Sequence, residues 1–283
     1  MNILSIQSSV AYGYAGNSAA VFPLQRLGVE VWPVLTVHFS NNTSYDGVRG
    51  PLLRAADISE VVQGIEDRGV LGDCDAVLSG YQGAEEVGQV VLQSVAKVKG
   101  HNPEAVYCCD PVMGDVGRGF FVRPGIPEFM RDQVVPACDI ATPNQFELDF
   151  LTGRETATMA DVLAAADQLR EVGPHTVLVT SVRTDDDPAD TLGMAAVSPD
   201  GAWVVRTPEL PLTPTGTGDV TAALFLAHLL GTQEAPTALA RTASSVFGIL
   251  QATADLGRRE IALVAAQDVI ADPPMQFDVT PLR

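Results

Sequence analysis

The 283-residue sequence is poor in basic residues, with 17 lysines and arginines against 35 aspartates and glutamates and a formal net charge of −18. A protein with this negative charge does not attract nucleic acid or anionic membranes electrostatically, so we expect neither as a partner. Solubility alone also explains the excess of acidic residues. The four cysteines form neither the CxxC pairs of a metal site nor a disulfide framework, which is typical of a reducing compartment: Cys74, Cys108, Cys109 and Cys138. No uncharged apolar run reaches roughly 18 residues and no basic segment precedes the first apolar run, so we expect a cytoplasmic protein.

Short β-rich runs alternate with segments of helical spacing along the whole chain. This alternation predicts a central, mostly parallel sheet with helices on both faces, in one domain of residues 1–283. The predicted strands are 3–7, 29–37, 76–79, 105–109, 140–142 and 176–180, followed by an antiparallel hairpin of 192–197 and 203–207. The predicted helices are 19–27, 58–68, 85–99, 126–134, 160–172, 219–230, 237–254 and 261–270.

The most informative segment is Leu-Thr-Pro-Thr-Gly-Thr-Gly-Asp at residues 212–219, which continues directly into an apolar stretch. A glycine-rich turn that opens a helix directs free N–H groups and the positive end of the helix dipole at one point, which suits a phosphate. It is not a P-loop, because no Gly-Lys-Ser/Thr follows the glycines. We expect Asp219 to orient or deprotonate an attacking hydroxyl, as a weak base whose ionised form the helix terminus favours. The alternative is a tight turn in which Asp219 only caps a buried helix.

Four further segments follow the first four predicted strands, at the sheet edge where such folds bind ligands. They mix small hydroxyl and amide side chains with tyrosine: 7–17, 39–45, 79–81 and 110–115. Such residues suit a neutral, aromatic, hydroxylated ligand, which they hold by stacking and directed hydrogen bonds. Ordinary loop composition explains the same residues, so both interpretations stay open.

Three carboxylates are candidates for binding Mg²⁺ together with a nucleotide: Asp110, Asp115 and Glu147. Such an ion takes only one or two protein carboxylates and completes its shell with water and phosphate oxygens. Asn144 and Glu147 are three residues apart at a helix start, which is also the spacing of a capping box. The two roles are compatible.

The segment 114–124 places Arg118, Phe120 and Phe121 among glycines. It is either a mobile flap that closes over the phosphates or an ordinary hairpin, because glycine spacing alone does not distinguish the two.

Six motifs follow one another through nearly the whole chain: Gln7-Ser8 with Gly16-Asn17, Phe39-Ser-Asn with Thr43, Ser79-Gly-Tyr81, Asp110-Pro-Val-Met-Gly-Asp115, Thr142-Pro-Asn-Gln-Phe-Glu147 and Gly216-Thr-Gly-Asp219. This ensemble resembles the pyridoxal kinases of the ribokinase-like superfamily. The last motif marks the superfamily, whereas the opening loop, Phe-Ser-Asn-x-Thr and Asp-Pro-Val-Met-Gly-Asp are specific to the pyridoxal kinases. The resemblance implies a three-layer α/β/α ribokinase-like fold and ATP-dependent phosphorylation of the 5′-hydroxyl of pyridoxal, with pyridoxine and pyridoxamine as further candidates, in vitamin B6 salvage.

Roles of single residues are implied by the same resemblance. The positions that match contacts to the pyridine ring are Ser8, Thr43 and Tyr81. The position that matches the catalytic aspartate, which also contacts the substrate, is Asp219, and the anion hole matches Gly216, Thr217 and Gly218. The positions that match the surroundings of Mg-ATP are Asp110, Asp115, Asn144 and Glu147, and those on the nucleotide side are Thr142, Thr180 and Ser181. The family uses Mg²⁺, often a monovalent cation such as K⁺, and commonly forms homodimers.

The sequence departs from the family pattern at His38, where many relatives carry Gln, and at Ser9, where His is common. Both departures concern how the ring is held and leave the phosphate chemistry intact. Two other functions stay open: a kinase for hydroxymethylpyrimidine or a sugar, which would share the phosphate machinery, and a non-catalytic carrier of pyridoxal phosphate.

Overall fold

The computed structural model describes residues 1–212 and 214–283. Its strands are β1 (Asn2–Val10), β2 (Glu30–Phe39), β3 (Ala76–Ser79), β4 (Val106–Cys109), β5 (Gly114–Asp115), β6 (Gly119–Phe120), β7 (Ile140–Ala141), β8 (Thr176–Val182), β9 (Thr191–Ser198), β10 (Gly201–Pro208) and β11 (Val279–Pro281). Its α-helices are α1 (Asn17–Arg26), α2 (Ala55–Glu66), α3 (Glu85–His101), α4 (Ile126–Phe129), α5 (Gln145–Thr152), α6 (Met159–Val172), α7 (Thr217–Thr232), α8 (Ala235–Asp255) and α9 (Gln267–Ala271). In the described parts of the chain, no helix has the length and apolar character to cross a membrane.

Nine strands form one sheet in the order β11-β10-β9-β8-β7-β4-β3-β1-β2. The strands from β2 to β8 pair in parallel, whereas β8, β9, β10 and β11 pair antiparallel. The predicted mostly parallel sheet and its antiparallel hairpin, which is β9–β10, are therefore confirmed. Strands β5 and β6 form a separate two-stranded ribbon beside the main sheet.

Apolar side chains cover both faces of the sheet, as the alternation of a strand requires. In β1, Leu4 and Ile6 enter a core shared with α2, α3 and α6, whereas Ile3 enters a second core with α1, α7 and α8. In β4, Cys108 points to the second core and Cys109 to the first. The sheet therefore lies between two helical layers, and the three-layer fold class is confirmed.

Proline in a parallel strand needs an explanation, because it cannot donate to a neighbour. Pro33 lies inside β2, pairs with Ser5 of β1 and is exposed. Strand β2 is the last strand of the sheet, so the missing N–H faces no partner strand.

Two predicted helices are wrong in extent. Of the predicted helix 261–270, only α9 from Gln267 is helical, although Ile261, Leu263 and Ile270 are buried. Their spacing reflects core packing of an irregular segment. The predicted helix 126–134 ends as α4 at Phe129 and continues as a wider π-turn, then a tight 3₁₀ turn at residues 135–137.

Candidate active site

The candidate site lies where the carboxyl ends of β1, β3, β4 and β7 meet the amino end of α7. Parallel strands end at one edge of the sheet, so the loops that follow them converge there. The amino end of α7 adds backbone N–H groups that no residue of the helix can satisfy. The site therefore combines polar loops with a helix terminus suited to an anion.

The turn before α7 requires glycine at residue 216. Gly216 has φ +92° and caps α7, and a Cβ there would lie 2.6 Å from the carbonyl oxygen of Tyr14. The Thr217 hydroxyl donates to the carbonyl of Pro214 at 3.2 Å, which closes the turn on its own backbone. Thr213, in the same motif, lies outside the described residues. The turn thus presses its backbone against the loop that follows β1, as a compact anion-binding bend would require.

Asp219 lies in the first turn of α7 and is half-buried. Burial raises the pKa of Asp219 to about 6, while the nearby N–H groups of Gly16 and of Asp219 itself lower it. The expectation that the helix terminus would make Asp219 a weak base is therefore wrong, because desolvation outweighs the local donors. A carboxylate with a pKa near 6 is ionised at neutral pH and still a useful proton acceptor.

Gly16 brings the Ser8 segment next to Asp219. Gly16 has φ +53°, and a Cβ there would overlap the carbonyl oxygen and hydroxyl of Ser8. The Gly16 N–H points to Asp219, and Ser8 is buried. Ser8, the predicted substrate residue, and Asp219, the predicted catalytic residue, therefore have Gly16 as a common neighbour.

Two further carboxylates, Asp110 and Glu147, are buried in the same region. Burial raises the pKa of Asp110 well above its ordinary value, and the negative charges of Glu147 and Asp219 raise it further. A Cβ on Gly218 would lie 3.8 Å from Asp110 Oδ2, so this carboxylate borders the anion turn. The charges of Glu147 and Asp219 thus both act on Asp110 at the amino end of α7.

The capping box at the start of α5 is confirmed. Asn144 Oδ1 accepts from the Glu147 N–H at 2.9 Å, and Glu147 Oε2 accepts from the Asn144 N–H at 2.9 Å. Glu147 Oε1 also accepts from the N–H groups of Met113 at 2.8 Å and Gly114 at 3.3 Å. Burial nevertheless raises the pKa of Glu147 to about 8. Its carboxylate holds the loop after β4 against α5.

Asp115 differs from these buried acids in its exposure, although its negative charge also raises the pKa of Glu147. It is exposed in β5, and its Oδ1 accepts from the neighbouring Val116 N–H at 2.8 Å. Within residues 1–212 and 214–283, no three His, Cys, Asp or Glu side chains are grouped so as to hold a metal ion. The Mg²⁺ set of Asp110, Asp115 and Glu147 stays a prediction.

The predicted nucleotide-side residues lie on adjacent strand ends. Thr180 pairs with Asn144 in an isolated bridge, and Ser181 has φ +55°, a strained conformation for a residue with a Cβ. Thr142 Oγ1 is buried without a hydrogen-bond partner among the described residues. Gln145, which the sequence analysis did not single out, holds this corner by accepting from the Arg183 N–H at 2.7 Å.

The substrate-side residues Thr43 and Tyr81 lie in different settings. Thr43 is exposed in the loop after β2, whereas Tyr81 is half-buried and burial raises its pKa. The Tyr81 carbonyl accepts from the Thr36 hydroxyl at 3.0 Å, which anchors its loop to β2. Glu260, also missed by the sequence analysis, joins the loops after β1 and β2 from more than 200 residues away.

The segment 114–124 is a hairpin, formed by β5 and β6. The Phe120 ring contacts Phe146 and Phe150 edge-on, at centroid distances of 5.1 and 5.0 Å. Arg118 lies over the ring of Phe121 at 5.0 Å. The segment therefore has hairpin geometry, and the choice between a closing flap and an ordinary hairpin stays a prediction.

The structure places both departures from the family pattern, and their effect on how the ring is held stays a prediction. The Ser9 hydroxyl lies 3.0 Å from that of Ser18 on α1. The His38 side chain is exposed, and the backbone N–H of His38 donates to the Pro51 carbonyl at 3.0 Å.

Comparisons with known proteins agree on one family. Residues 15–263 match the family model described as phosphomethylpyrimidine kinase. The chain is 59% identical to pyridoxal kinase PdxY of Rubrobacter xylanophilus, over 99% of the chain and 97% of the relative, and 56% identical to that of Leifsonia xyli, over 99% of each. Pyridoxal kinase from Leishmania donovani, solved with ADP and pyridoxamine, superposes with a TM-score of 0.92 at 31% identity, covering 100% of this chain and 99% of the other.

Proposed function

The chain belongs to the pyridoxal kinase family, and from this premise we propose that it transfers the γ-phosphoryl group of ATP to the 5′-hydroxyl of pyridoxal, giving pyridoxal 5′-phosphate. Pyridoxine and pyridoxamine, the second of which is bound in a similar structure, are further candidate acceptors. One observation carries the proposal: a glycine turn at the start of α7 places Asp219 beside Gly16, whose backbone abuts Ser8.

The proposed chemistry divides between Asp219 and the turn that precedes it. With a pKa near 6, Asp219 is ionised at pH 7 and accepts the proton of the 5′-hydroxyl as that oxygen attacks phosphorus. The backbone N–H groups of Gly216, Thr217 and Gly218 stabilise the charge of the phosphoryl oxygens. Because a loose phosphoryl transition state releases the hydroxyl proton late, orienting the hydroxyl matters as much as basicity.

The residues on the acceptor side are assigned by position. Ser8, Thr43 and Tyr81 are proposed to hold the pyridine ring. Ser8 and Asp219 share Gly16 as a neighbour. The nucleotide is proposed to lie across the strand ends of Thr142, Asn144, Thr180 and Ser181, where the Thr142 side chain is buried next to Asp110.

The donor set fits Mg²⁺ bound with the nucleotide. Burial and the nearby charge of Glu147 both raise the pKa of Asp110, which a counter-charge would reverse, and Asp110 borders the anion turn. Mg²⁺ accepts one or two carboxylates together with waters and phosphate oxygens, so exposed Asp115 need not reach the ion directly. When bound, the ion offsets phosphate charge, which matters in a chain of net charge −18. Dependence on a monovalent cation such as K⁺ stays a prediction, tested by replacing K⁺ with tetramethylammonium.

The remaining expectations are proposals of the same kind. A continuous nine-stranded sheet supports one kinase domain over residues 1–283. A homodimer is proposed from the family, and light scattering of the purified protein tests it. The cytoplasmic location stays a prediction.

The direct test is incubation of the purified chain with pyridoxal and Mg-ATP, following pyridoxal 5′-phosphate by its absorbance and ADP by a coupled assay. Parallel reactions with hydroxymethylpyrimidine and ribose serve as controls. We expect turnover of pyridoxal to exceed both by at least about tenfold in kcat/KM, because the ring contacts are matched to pyridoxal. Preferred turnover of either control would overturn the assignment of substrate.

A second candidate is phosphorylation of hydroxymethylpyrimidine, a compound related to the phosphomethylpyrimidine that the description of the matching family model names. The substrate-side set of Ser8, Thr43 and Tyr81 argues for pyridoxal. A non-catalytic carrier would retain pyridoxal phosphate without consuming ATP. The position of Asp219 argues against a carrier, because a carrier needs no proton acceptor beside an anion turn.

A further inference from the structure

Glu260 lies between two loops that flank the acceptor site, called here the first loop (residues 11–16) and the second loop (residues 40–47). Glu260 Oε2 accepts from the backbone N–H of Tyr14 at 2.9 Å. Glu260 Oε1 accepts from the Tyr45 hydroxyl at 2.7 Å and from Asn42 Nδ2 at 3.2 Å. One side chain, from the segment after α8, therefore joins both loops through three hydrogen bonds.

In the first loop, the bond to Glu260 holds Tyr14, two residues before Gly16. Gly13 has φ +80°, and a Cβ there would overlap the Glu260 carboxylate, so the loop lies directly on this side chain. A Cβ on Gly16 would overlap the carbonyl and hydroxyl oxygens of Ser8, so the same loop abuts Ser8. The bond to Tyr14 therefore holds the loop against the Ser8 end of the acceptor site.

In the second loop, the residues bonded to Glu260 stand on either side of Thr43. Asn42 is 3% exposed, and its Oδ1 accepts from the N–H of Ser44 at 3.0 Å, a local turn that presents Thr43 at the surface. The bond to Glu260 raises the pKa of Tyr45 to about 12, so its hydroxyl remains a donor at neutral pH. Asn42 and Tyr45 thus hold the two ends of the turn that carries Thr43.

Arg259 strengthens the contact with the second loop only. Its guanidinium lies 3.7 Å from the centroid of the Tyr45 ring, and its Nη2 donates to the Ser44 carbonyl at 2.6 Å. Neither contact reaches the first loop. Glu260 is therefore the residue of this pair that couples the two loops.

We infer that Glu260 is a positioning residue, which sets the distance between Ser8 on the first strand and Thr43 on the second loop and so tunes affinity for the acceptor substrate. The inference rests on the proposed pyridoxal kinase function. The nucleotide side is held by different contacts, chiefly Gln145 to Arg183, so it does not depend on Glu260. Loss of Glu260 should therefore act on the acceptor and spare ATP.

The primary variant is Glu260→Gln, which keeps the shape of the side chain and replaces one acceptor oxygen by an NH₂ group that cannot accept a hydrogen bond. We expect KM for pyridoxal to rise about tenfold or more, because at least one donor of the loops loses its partner. KM for ATP should stay within about twofold. The Kd of pyridoxal, measured by equilibrium dialysis without ATP, should rise in parallel with its KM.

A control and a double-mutant cycle separate positioning from general destabilisation. Glu104→Gln makes the same chemical change at an exposed residue just before β4, near the amino ends of the strands and away from the site. It should leave both KM values unchanged. Tyr45→Phe removes a single donor and should raise KM for pyridoxal by about threefold in the parent, but have no effect in Glu260→Ala, which presents no acceptor to residue 45.

Three outcomes decide between the possibilities. Equal increases in KM for pyridoxal and ATP, or an unchanged Kd for pyridoxal in Glu260→Gln, would overturn the positioning role. A parent protein that binds pyridoxal but does not phosphorylate it would overturn the proposed kinase function, while the Kd comparison would still judge Glu260. A parent that binds no pyridoxal would overturn both.

Discussion

Acidification through pH 6 should switch off phosphoryl transfer, because it protonates Asp219. The burial of this carboxyl raises its pKa from 3.8 to about 6, against the opposing effect of the Gly16 N–H. A group whose ionised form is required for activity loses that activity as the pH falls through its pKa. Asp219 is therefore expected to give kcat/KM for pyridoxal an acidic limb centred near pH 6.

The size of the effect follows from titration of one group. With a pKa of about 6, kcat/KM should fall to about half its plateau at pH 6 and to about one tenth at pH 5. An unperturbed aspartate, with a pKa of 3.8, would leave more than about nine tenths of the activity at pH 5. The two cases differ by nearly a factor of ten at pH 5, which an ordinary initial-rate assay resolves.

The control is Asp219→Asn. In this variant all other ionisable groups of the enzyme and its substrates still titrate, but residue 219 does not. We expect kcat to fall by about 10²–10⁴ while KM for ATP changes little, the usual scale for a positioned acid or base. The residual activity should lack the limb near pH 6. Initial rates from pH 5 to 8 at saturating Mg-ATP measure both profiles. An identical limb in the variant, a parent midpoint near 3.8, or activity within a few-fold of the parent would refute the reasoning.

Three further perturbations test other parts of the structure. Gly16→Ala should lower kcat/KM for pyridoxal at least about tenfold and destabilise the fold by about 1–3 kcal/mol, because its Cβ would overlap Ser8. The control is Gly69→Ala, which has φ +72° but open space around its Cβ, so only the strain of a positive φ destabilises it. Equal shifts in melting temperature for the two variants would contradict the contact between Gly16 and Ser8. Thr142→Val should raise KM for ATP, because it removes a buried hydroxyl at the proposed nucleotide side; an unchanged KM would remove Thr142 from the nucleotide site. Burial lowers the pKa of His228 from 6.5 to about 4, so this residue should lower the free energy of unfolding by up to about 3 kcal/mol as the pH falls from 6.5 to 4. The raised pKa values of Asp110, Glu147 and Asp219 act in the opposite direction, so the contribution of His228 is measured as a difference between proteins. In urea titrations, His228→Asn should gain stability relative to the parent over this pH range, whereas a variant of the exposed His175 should follow the parent.

Local sequence patterns predicted the parallel sheet and most of the helices, because the order of short β-rich runs and the helical spacing of apolar residues depend only on residues close together in the chain. They failed at 261–270, where Ile261, Leu263 and Ile270 are buried by contacts with α1 and α8 and not by a helical face. The strand β11 was missed because three residues at a sheet edge carry too little pattern. Contacts from distant parts of the chain decided each of these cases.

The candidate site divides in the same way. Its acids and glycines lie in short motifs, so the sequence could indicate them, but the sign of the Asp219 pKa shift depends on burial by the whole fold. The local expectation used the helix dipole alone and was wrong. Gln145 and Glu260 carry no local signal of their role, because each acts through a partner at least 38 residues away.

Glycine is what joins the catalytic and acceptor parts of this site. Gly216 allows the anion turn to meet the Tyr14 carbonyl, and Gly16 allows the backbone beside Asp219 to meet Ser8. At both points a single Cβ would separate the two parts, whereas the side chains that hold the acceptor loops, such as Glu260, lie farther out. Substitutions at the glycines should therefore impair chemistry and binding together, while substitutions at Glu260 should change acceptor affinity with a smaller effect on the chemical step. Acceptor preference can then diverge in the outer contacts without rebuilding the phosphate machinery at α7.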